Sequence, residues 1–453
     1  MWTMIVSLEP FVDTLAPAFT VPSFATTGQL LLAWVMCLGR HNIFRVAKCA
    51  DPQVLHDNSQ RHGFDTYYNY FERSAWTVSG LSRRVGVLII TKLNVCGTIT
   101  LLVDDTLAHK RGKSVWGLGW FRDAVASTKK RVATASGHNW VVVAVAFCSP
   151  LSGAPILALP LLARLHQSGK GQPSCAALAR DMVGEVLTWF PGRRVTLVGD
   201  GAYAAKTLLL DLPEQVTFVG RLRGDAAVYD PRVPTSRSSK KGRKAKKGPR
   251  LPSPRDLAKK ADRKRSLASA GAWRDVWVTI YGKERWLKIV SYEALWPTVL
   301  GPRLIQIVVV RDAEGRMDDV YLFTTDLQAQ PQWLITQFSW RWAIEVLFRA
   351  SKQVMEIEAP QHWARASVEK LAPWVWSMQS VLMVWYLTAG QALPEAAQLR
   401  CLMGDWDSEW SLRHMIQVLR LAILNATINP NSADEAQLTQ MVQTLKNLAV
   451  LAV

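Results

Sequence analysis

The spacing of apolar and polar residues predicts a chain with helices at both ends and strands in between. Before about residue 85, helical periodicity predicts helices at residues 29–38, 42–50 and 67–76. The middle of the chain is rich in β-branched runs that predict strands at residues 87–90, 98–103, 140–148, 154–159, 195–198 and 215–219, with helices at 176–190 and 203–210. After residue 352 helices are predicted at 364–386, 408–425 and 433–451. Strands followed by alternating helices and strands indicate a mixed α/β fold.

Two of the predicted strands stop at carboxylates. Asp104 and Asp105 follow the apolar run at residues 98–103, and Asp200 follows residues 195–198 and one glycine. Either site alone is more typical of a turn or a helix cap. We expect the two strands to be neighbours in one sheet, which would bring these side chains to the same edge.

A third carboxylate lies within the segment of residues 338–352. Arg341 and Glu345 are four residues apart, and Lys352 follows seven residues after Glu345, so one face of a helix would carry all three. The residues that would seat this helix on a core are Trp342, Ile344, Leu347 and Phe348. By itself the pattern fits an ordinary surface ion pair equally well. Three acidic sites in one basic chain favour a metal site, and a set of oxygen ligands suits Mg²⁺ or Mn²⁺.

At these three places the chain resembles the DDE transposases of bacterial cut-and-paste insertion sequences. The first motif of that family is matched by Asp104-Asp105-Thr106 and the second by Asp200-Gly-Ala-Tyr203. The third motif reads Tyr-x-x-Arg-x-x-x-Glu with a Lys seven residues further on, and its matches here are Phe338, Arg341, Glu345 and Lys352. The departure is at Phe338, which has no hydroxyl group to offer a phosphate. The resemblance covers about residues 95–355.

The resemblance implies an RNase H-like mixed sheet flanked by helices, with a β-rich insertion and helical N- and C-terminal regions. The implied parts are a DNA-binding region at 1–85, a catalytic domain at 86–221 and 319–392, an insertion at 222–318 and a C-terminal region at 393–453. From the residues alone, the N-terminal region fits a packing cap on the catalytic domain equally well. The insertion of that family carries an aromatic side chain that stacks on a flipped base. The candidates are Trp273, Trp277, Trp286 and Trp296, and each alone is more typical of a core residue.

The activity implied by the resemblance is that of a metal-dependent DNA transposase, which cuts transposon ends and joins them to target DNA. Asp104, Asp200 and Glu345 would hold two Mg²⁺ (or Mn²⁺) ions per active site. Asp105 is the alternative first ligand, because adjacent strand residues face opposite sides and only one can face the metal. The implied partners are double-stranded DNA, at the inverted repeats of the transposon ends and at the target, and a second copy of the chain when DNA is bound. Residues implied to position the DNA are Arg341, Lys352 and Phe338.

The charge of the chain favours a polyanionic partner. The net charge is +18, and residues 232–266 alone carry 15 Lys or Arg against two Asp. This basic segment lacks apolar periodicity, which is typical either of a phosphate-binding arm or of a solvated linker, and so dense a run favours the arm. The candidate DNA-binding cations are Lys110, Arg111, Lys113, Lys129, Lys130, Arg131, Lys240, Lys241, Arg243, Lys244, Lys246 and Lys247.

The remaining composition bears on compartment and on the competing functions. Six cysteines without a zinc or C-x-x-C spacing favour a reducing cytoplasm, and no signal peptide is visible. The charge-free stretches at residues 14–39 and 371–394 are interrupted by polar residues or proline, so we expect buried helices and no membrane span. Two other functions stay open: a catalytically silent, transposase-derived DNA-binding protein, and a basic nucleic-acid-binding scaffold.

Overall fold

The computed structural model describes residues 2–50, 61–128, 130–149, 154–231, 247–262, 272–403 and 409–427. The strands are β1 (Ile99–His109), β2 (Gly119–Arg122), β3 (Thr134–Cys148), β4 (Ile156–His166), β5 (Val195–Gly199), β6 (Val216–Arg221), β7 (Arg274–Ile280), β8 (Lys283–Leu295), β9 (Leu304–Asp312) and β10 (Val320–Thr324). The helices are α1 (Glu9–Asp13), α2 (Val21–Met36), α3 (Ile43–Ala50), α4 (Arg61–Glu72), α5 (Val78–Lys92), α6 (Cys175–Trp189), α7 (Lys206–Leu209), α8 (Pro254–Asp262), α9 (Pro297–Leu300), α10 (Pro331–Trp340), α11 (Trp342–Gln353), α12 (Arg365–Thr388), α13 (Pro394–Met403) and α14 (Leu412–Thr427).

The strands form one mixed sheet. β4, β3 and β1 are antiparallel, and β5 and β6 continue from β1 in parallel. Three antiparallel strands followed by two parallel ones give the order of an RNase H-like sheet, as the sequence predicts. The short β2 pairs with the beginning of β3, beyond the end of β4.

Strands β7, β8 and β9, which lie within residues 222–318, and β10, which follows them, extend the same sheet. β10 pairs antiparallel with β6, and β9, β8 and β7 follow in turn, each antiparallel to its neighbour. β9 and β10 form an antiparallel hairpin that leads to the segment carrying Glu345. The backbone groups at the β6 edge are therefore satisfied by β10 and are not left exposed.

Strand β1 does not stop at its carboxylates, which corrects the sequence-based expectation. It continues through Asp104 and Asp105 to His109, because β3 pairs with it along the whole stretch from Leu101 to His109. The neighbour on the other side, β5, ends at Gly199 opposite Val103. The acidic pair therefore lies where the sheet loses one neighbouring strand, which opens that side to a ligand.

The predicted strand at residues 87–90 is wrong, because these residues belong to α5. Thr77 caps the helix by accepting a hydrogen bond from the backbone N–H of Gly80 at 3.1 Å. The buried positions include Leu81, Val85, Leu88 and Ile89, which recur at helical and not at alternating spacing. The β-branched composition of the run was outweighed by this cap and by packing of α5 against α12 and β4.

The segment that carries Glu345 is two helices and not one. α10 ends at Trp340 and α11 begins at Trp342, with Arg341 at the junction in helical dihedral angles. The backbone N–H groups of Arg341 and Ile344 bond three residues back, to Phe338 and Arg341, as in a tighter 3₁₀ turn. Helical spacing between Arg341 and Glu345 is nevertheless kept, so the predicted i,i+4 relation holds.

The N-terminal helices pack on α12 through a cluster of aromatic rings. Trp34 of α2 lies edge-on to Trp374 of α12 at 5.6 Å between centroids, and its Nε1–H donates to the Met355 carbonyl at 3.1 Å. Tyr70 and Phe71 of α4 also contact Trp374. The apolar faces of these helices are thus buried against α12, as a packing cap requires.

None of the helices in the described residues is both long and apolar enough to cross a membrane. The predicted helices at 364–386 and 408–425 are confirmed as α12 and α14. The predicted helix at 433–451 lies outside the described residues.

Candidate active site at the β1/β5 edge

Parallel pairing of β1 with β5 places two aspartates side by side. Val103 is in register with Gly199, so Asp104 and Asp200 are the next residues on the two chains. This confirms the expected adjacency of the two strands. Asp200 also holds the turn after β5, since its Oδ1 accepts hydrogen bonds from the backbone N–H groups of Ala202 at 2.8 Å and Tyr203 at 3.4 Å.

Asp104 and Asp105 point to opposite sides of the sheet. Asp104 Oδ2 accepts a hydrogen bond from Arg341 Nη1 at 3.0 Å. Asp105 accepts one from the Tyr203 hydroxyl and one from Asn139 Nδ2, both at 3.1 Å. Asp104 therefore lies on the side of Arg341, whereas Asp105 is committed to an internal network.

A single guanidinium group bridges two of the three predicted catalytic acids. Besides Asp104, Arg341 bonds Glu345 Oε1 through Nη2 at 2.5 Å. The side chains of Arg341 and Asp104 are about one-fifth exposed, at 21% and 17%, and that of Glu345 is 34% exposed. Burial disfavours the charge of Arg341, but Asp104 and Glu345 outweigh burial and raise its pKa. The bridge confirms that the distant Glu345 helix is folded against the β1/β5 edge.

The carboxyl group of Asp104 is electrostatically frustrated. Its pKa is raised to about 7, mainly by burial; repulsion from Asp200 adds to the rise, and Arg341 acts in the opposite direction. Two carboxylates placed side by side in a poorly solvated position are stabilised by a nearby cation. Arg341 supplies part of that stabilisation.

The donor chemistry of this edge fits a hard divalent cation, but the full ligand set is not assembled. Asp104 and Asp200 offer only oxygen ligands, as Mg²⁺ and Mn²⁺ prefer. Within the described residues, no group of three or more His, Cys, Asp or Glu is close enough to share a metal ion. The Arg341 guanidinium lies between Glu345 and Asp104, so Glu345 reaches an ion held by the aspartates only when Arg341 moves aside.

The two predicted DNA-contacting residues on either side of Arg341 have internal contacts. Lys352 Nζ donates to the Leu107 carbonyl of β1 at 2.6 Å and lies 3.5 Å from Glu358. Phe338 packs partly buried against the core, with the Arg341 guanidinium 5.9 Å from its ring centroid. Lys352 thus ties α11 to β1 just beyond the acidic pair.

The predicted cationic loops divide into anchored and exposed groups. Lys110 donates to the carbonyl groups of Glu358 and Pro360 at 2.8 and 2.6 Å, and burial lowers its pKa to about 8. Lys247 lies over the Tyr229 ring at 3.6 Å. The residues at exposed positions are Arg111, Lys113, Lys130 and Arg131. The predicted cations outside the described residues are Lys129, Lys240, Lys241, Arg243, Lys244 and Lys246.

The structure sorts the four tryptophans of the insertion. Trp273 is covered by the Arg311 guanidinium at 4.4 Å, and Trp296 packs edge-on against Phe323 at 5.5 Å. Trp277 and Trp286 are 64% and 48% exposed, and their rings stack at 5.7 Å across the β7/β8 hairpin. Only the latter two therefore offer an open ring face among these four.

The tip of the β7/β8 hairpin contacts the first residue of α11, the helix that carries Glu345. Tyr281 at the turn is exposed and contacts the exposed Trp342 with ring centroids 6.4 Å apart. Trp342 is the residue after Arg341. Sequence reasoning missed the role of Tyr281, and its signal was the Tyr-Gly turn between two short strands.

The fold and this edge define an α/β protein with an RNase H-like sheet and two adjacent aspartates at its β1/β5 edge. A family model described as DDE superfamily endonuclease matches residues 14–284, which include Asp104 and Asp200 and end before Glu345. The match spans more than half of the chain, and the chain therefore belongs to the DDE superfamily endonucleases.

Other comparisons add little to this assignment. No curated protein matches the chain. Among solved structures, a piggyBac transposase, determined by cryo-EM in a synaptic complex with hairpin DNA, is 12% identical to this chain. The match covers 99% of this chain and 84% of that chain with a TM-score of 0.36. A similarity of this size says nothing about the activity of the present chain.

Proposed function

We propose that this DDE superfamily endonuclease is a metal-dependent DNA transposase of the insertion-sequence type, which nicks transposon ends and joins them to target DNA. The observation that supports the proposal most is the meeting of three distant acids: Asp104 and Asp200 adjoin on β1 and β5, and Arg341 ties Glu345 to Asp104.

Two divalent cations, when bound, would activate the attacking water and stabilise the leaving oxygen of the phosphodiester. Asp104 and Asp200 would hold them, and Glu345 would complete the set. Asp105 is a weaker candidate as a ligand, because its carboxylate already accepts two hydrogen bonds on the opposite side of β1.

Arg341 has a second role in this proposal. Its guanidinium bonds both Asp104 and Glu345 in the structure and offsets one of their two charges, and a planar guanidinium is also well suited to bind a phosphate through two parallel hydrogen bonds. Transfer of Arg341 from the carboxylates to the phosphate would free Glu345 and neutralise the charge of the backbone near the scissile bond.

The exposed aromatic surface of Trp277, Trp286, Tyr281 and Trp342 would stack on unpaired bases next to the site. Aromatic rings bind bases without sequence choice, so this surface suits a strand distorted at the cleavage point. It begins one residue from Arg341, and its position favours contact with the same DNA end.

The direct test is a cleavage assay on the native element ends with and without Mg²⁺, with products resolved on a denaturing gel. Nicking at the ends should require metal and should disappear in Glu345→Gln, with an unchanged circular dichroism spectrum. Full nicking by Glu345→Gln would remove this residue from the mechanism.

The same assay separates the two competing functions. Tight binding of the ends with no nicking in Mg²⁺ or Mn²⁺ identifies a catalytically silent DNA-binding protein. Deletion of residues 232–266 tests the scaffold, because a transposase should keep part of its cleavage activity whereas a scaffold should lose its function.

A further inference from the structure

A polar cavity of about 830 Å³ lies next to the β1/β5 edge that carries Asp104 and Asp200. One wall comes from the ends of the parallel strands: Gly201 follows Asp200 of the β5 turn, and Arg221 is the last residue of β6. In open α/β sheets ligands bind outside the carboxyl ends of the parallel strands, and a cavity of this size is typical of a ligand site. The lining of the cavity therefore begins one residue beyond Asp200.

The opposite wall comes from α8, β10 and the turn that precedes β10. It includes Arg255 of α8, Tyr321 of β10 and the turn between β9 and β10. The Arg255 backbone N–H donates to the Gly224 carbonyl at 3.0 Å, and its side chain bonds the Tyr321 hydroxyl. A Cβ on Gly224 would lie 2.6 Å from the Tyr321 ring, so glycine is needed for this close approach. The Arg255 side chain is thereby held at the cavity.

Most charges in the cavity are already paired. Arg311 makes two hydrogen bonds of 2.7 Å to Asp319, and Arg223 makes a similar pair with Asp225 at 2.9 and 2.8 Å. Asp312, a third acid in the lining, accepts the backbone N–H groups of two residues in the β9–β10 turn. These three aspartates therefore already have hydrogen-bond partners within the protein.

Arg221 and Arg255 are the arginines of the cavity lining that have no acidic partner among the described residues. Both are exposed, and neither forms an ion pair within the part of the chain that the structure describes. Asp318 at the far turn is the remaining acid of the lining, and it is exposed to solvent. Two guanidinium groups without an acidic partner at one cavity are suited to a phosphodiester.

We propose that this cavity is a subsite for the phosphodiester backbone of the DNA strand that runs on from the acidic edge, held by Arg221 and Arg255. The proposal rests on the proposed function for its choice of DNA and assigns to this strand a path past Gly201 and between β6 and α8. Its ligand class is a phosphodiester in a polymer, and a free phosphate is a separate outcome of the test.

The first experiment measures DNA affinity against salt concentration in EDTA, so that cleavage is not required. The ligand is an end-containing duplex with a single-stranded extension, and the double variant Arg221→Ala/Arg255→Ala is compared with the wild type. Loss of two phosphate contacts should reduce the slope of log K against log salt by roughly 1.4 to 1.8.

The matched control is Arg223→Ala/Asp225→Ala in the same cavity. It removes one paired arginine with its acid and keeps the net charge, so its salt slope should equal that of the wild type. An unchanged slope in the Arg221/Arg255 variant, or an equal loss in the control, would overturn the proposal.

The second experiment locates the contact by replacing single phosphates near the scissile bond with neutral methylphosphonates. One or two positions should weaken wild-type binding roughly tenfold and should have no further effect in the Arg221→Ala/Arg255→Ala variant. If every methylphosphonate weakens DNA binding of the double variant as much as that of the wild type, Arg221 and Arg255 do not contact these phosphates and the proposal is refuted.

Inorganic phosphate at constant ionic strength distinguishes a free anion from a strand. If the double substitution abolishes binding of inorganic phosphate but leaves DNA affinity unchanged, the cavity is a free-phosphate site and the proposal is overturned. If the wild type binds as described but never nicks DNA in Mg²⁺, the transposase function fails and the subsite stands. If the wild type nicks DNA but the double variant binds DNA normally, the subsite proposal fails and the transposase function stands.

Discussion

Replacement of Asp104 by asparagine should stabilise the metal-free protein at neutral pH. Asparagine keeps the shape of the side chain and an oxygen that can accept from Arg341, but it removes the charge that burial and Asp200 disfavour. An acid that lowers the stability of its own fold is expected where function requires charges to converge.

The magnitude follows from the pKa of Asp104, which burial raises from 3.8 to about 7. About three pKa units correspond to about 4 kcal/mol, which is an upper limit for the gain above pH 7. Since the folded-state pKa exceeds the unfolded one, wild-type stability is highest below about pH 4, falls as the pH rises towards 7 and is level above that. The Asp104→Asn protein lacks this contribution.

The assay is thermal unfolding of both proteins in EDTA from pH 4 to pH 8. The unfolding temperature of Asp104→Asn should exceed that of the wild type by several degrees at pH 8, and the difference should shrink towards pH 4. With Mg²⁺ the wild type should gain stability and the variant should gain less, because a bound cation stabilises only the protein that binds it. A pH-independent difference, or a less stable variant at pH 8, would show that Asp104 is not held in an unfavourable ionised state.

Three further substitutions test the other assignments. Asp105→Asn should keep metal-dependent nicking but unfold more easily, by about 1–3 kcal/mol, because the Tyr203 network loses an acceptor; denaturant unfolding and the gel assay measure both. Arg341→Lys should lower nicking at least tenfold with DNA affinity nearly unchanged in filter binding, because a lysine cannot bridge two groups in parallel. Trp286→Ala should weaken binding of an end with unpaired bases by about 1–3 kcal/mol, whereas Trp120→Ala, which removes a still more exposed ring on β2, should not.

Each of these has an outcome that contradicts it. Loss of nicking in a folded Asp105→Asn protein would indicate that Asp105, and not Asp104, is the first metal ligand. Normal nicking by Arg341→Lys would show that the bridge is structural only, and equal losses in both tryptophan variants would point to general rather than local stacking.

Much of the site could be predicted from sequence, because its parts are short and local. The runs before Asp104 and Asp200 are β-branched and apolar, and they form parallel neighbours in the sheet. The four-residue spacing of Arg341 and Glu345 survives the break between α10 and α11. Periodicity reports such relations because they depend only on residues within one or two turns or strands.

Other features depended on partners far along the chain. The run at residues 87–90 has strand composition, yet packing against α12 and β4 makes it helical. Residues beyond Asp104 stay in β1 because β3 pairs with them. Lys352 and Lys110 have the sequence character of DNA-binding cations, and the structure gives both of them carbonyl acceptors.

The sequence by itself determined the two strands that precede Asp104 and Asp200, the basic character of the chain and the three acidic positions. Only the tertiary structure decided that Asp104 and not Asp105 faces Arg341, that one guanidinium joins Asp104 to Glu345 and that Trp277 and Trp286 remain exposed. The physical reason is that the direction and charge state of a side chain are set by neighbours brought by long-range pairing, which local periodicity does not encode.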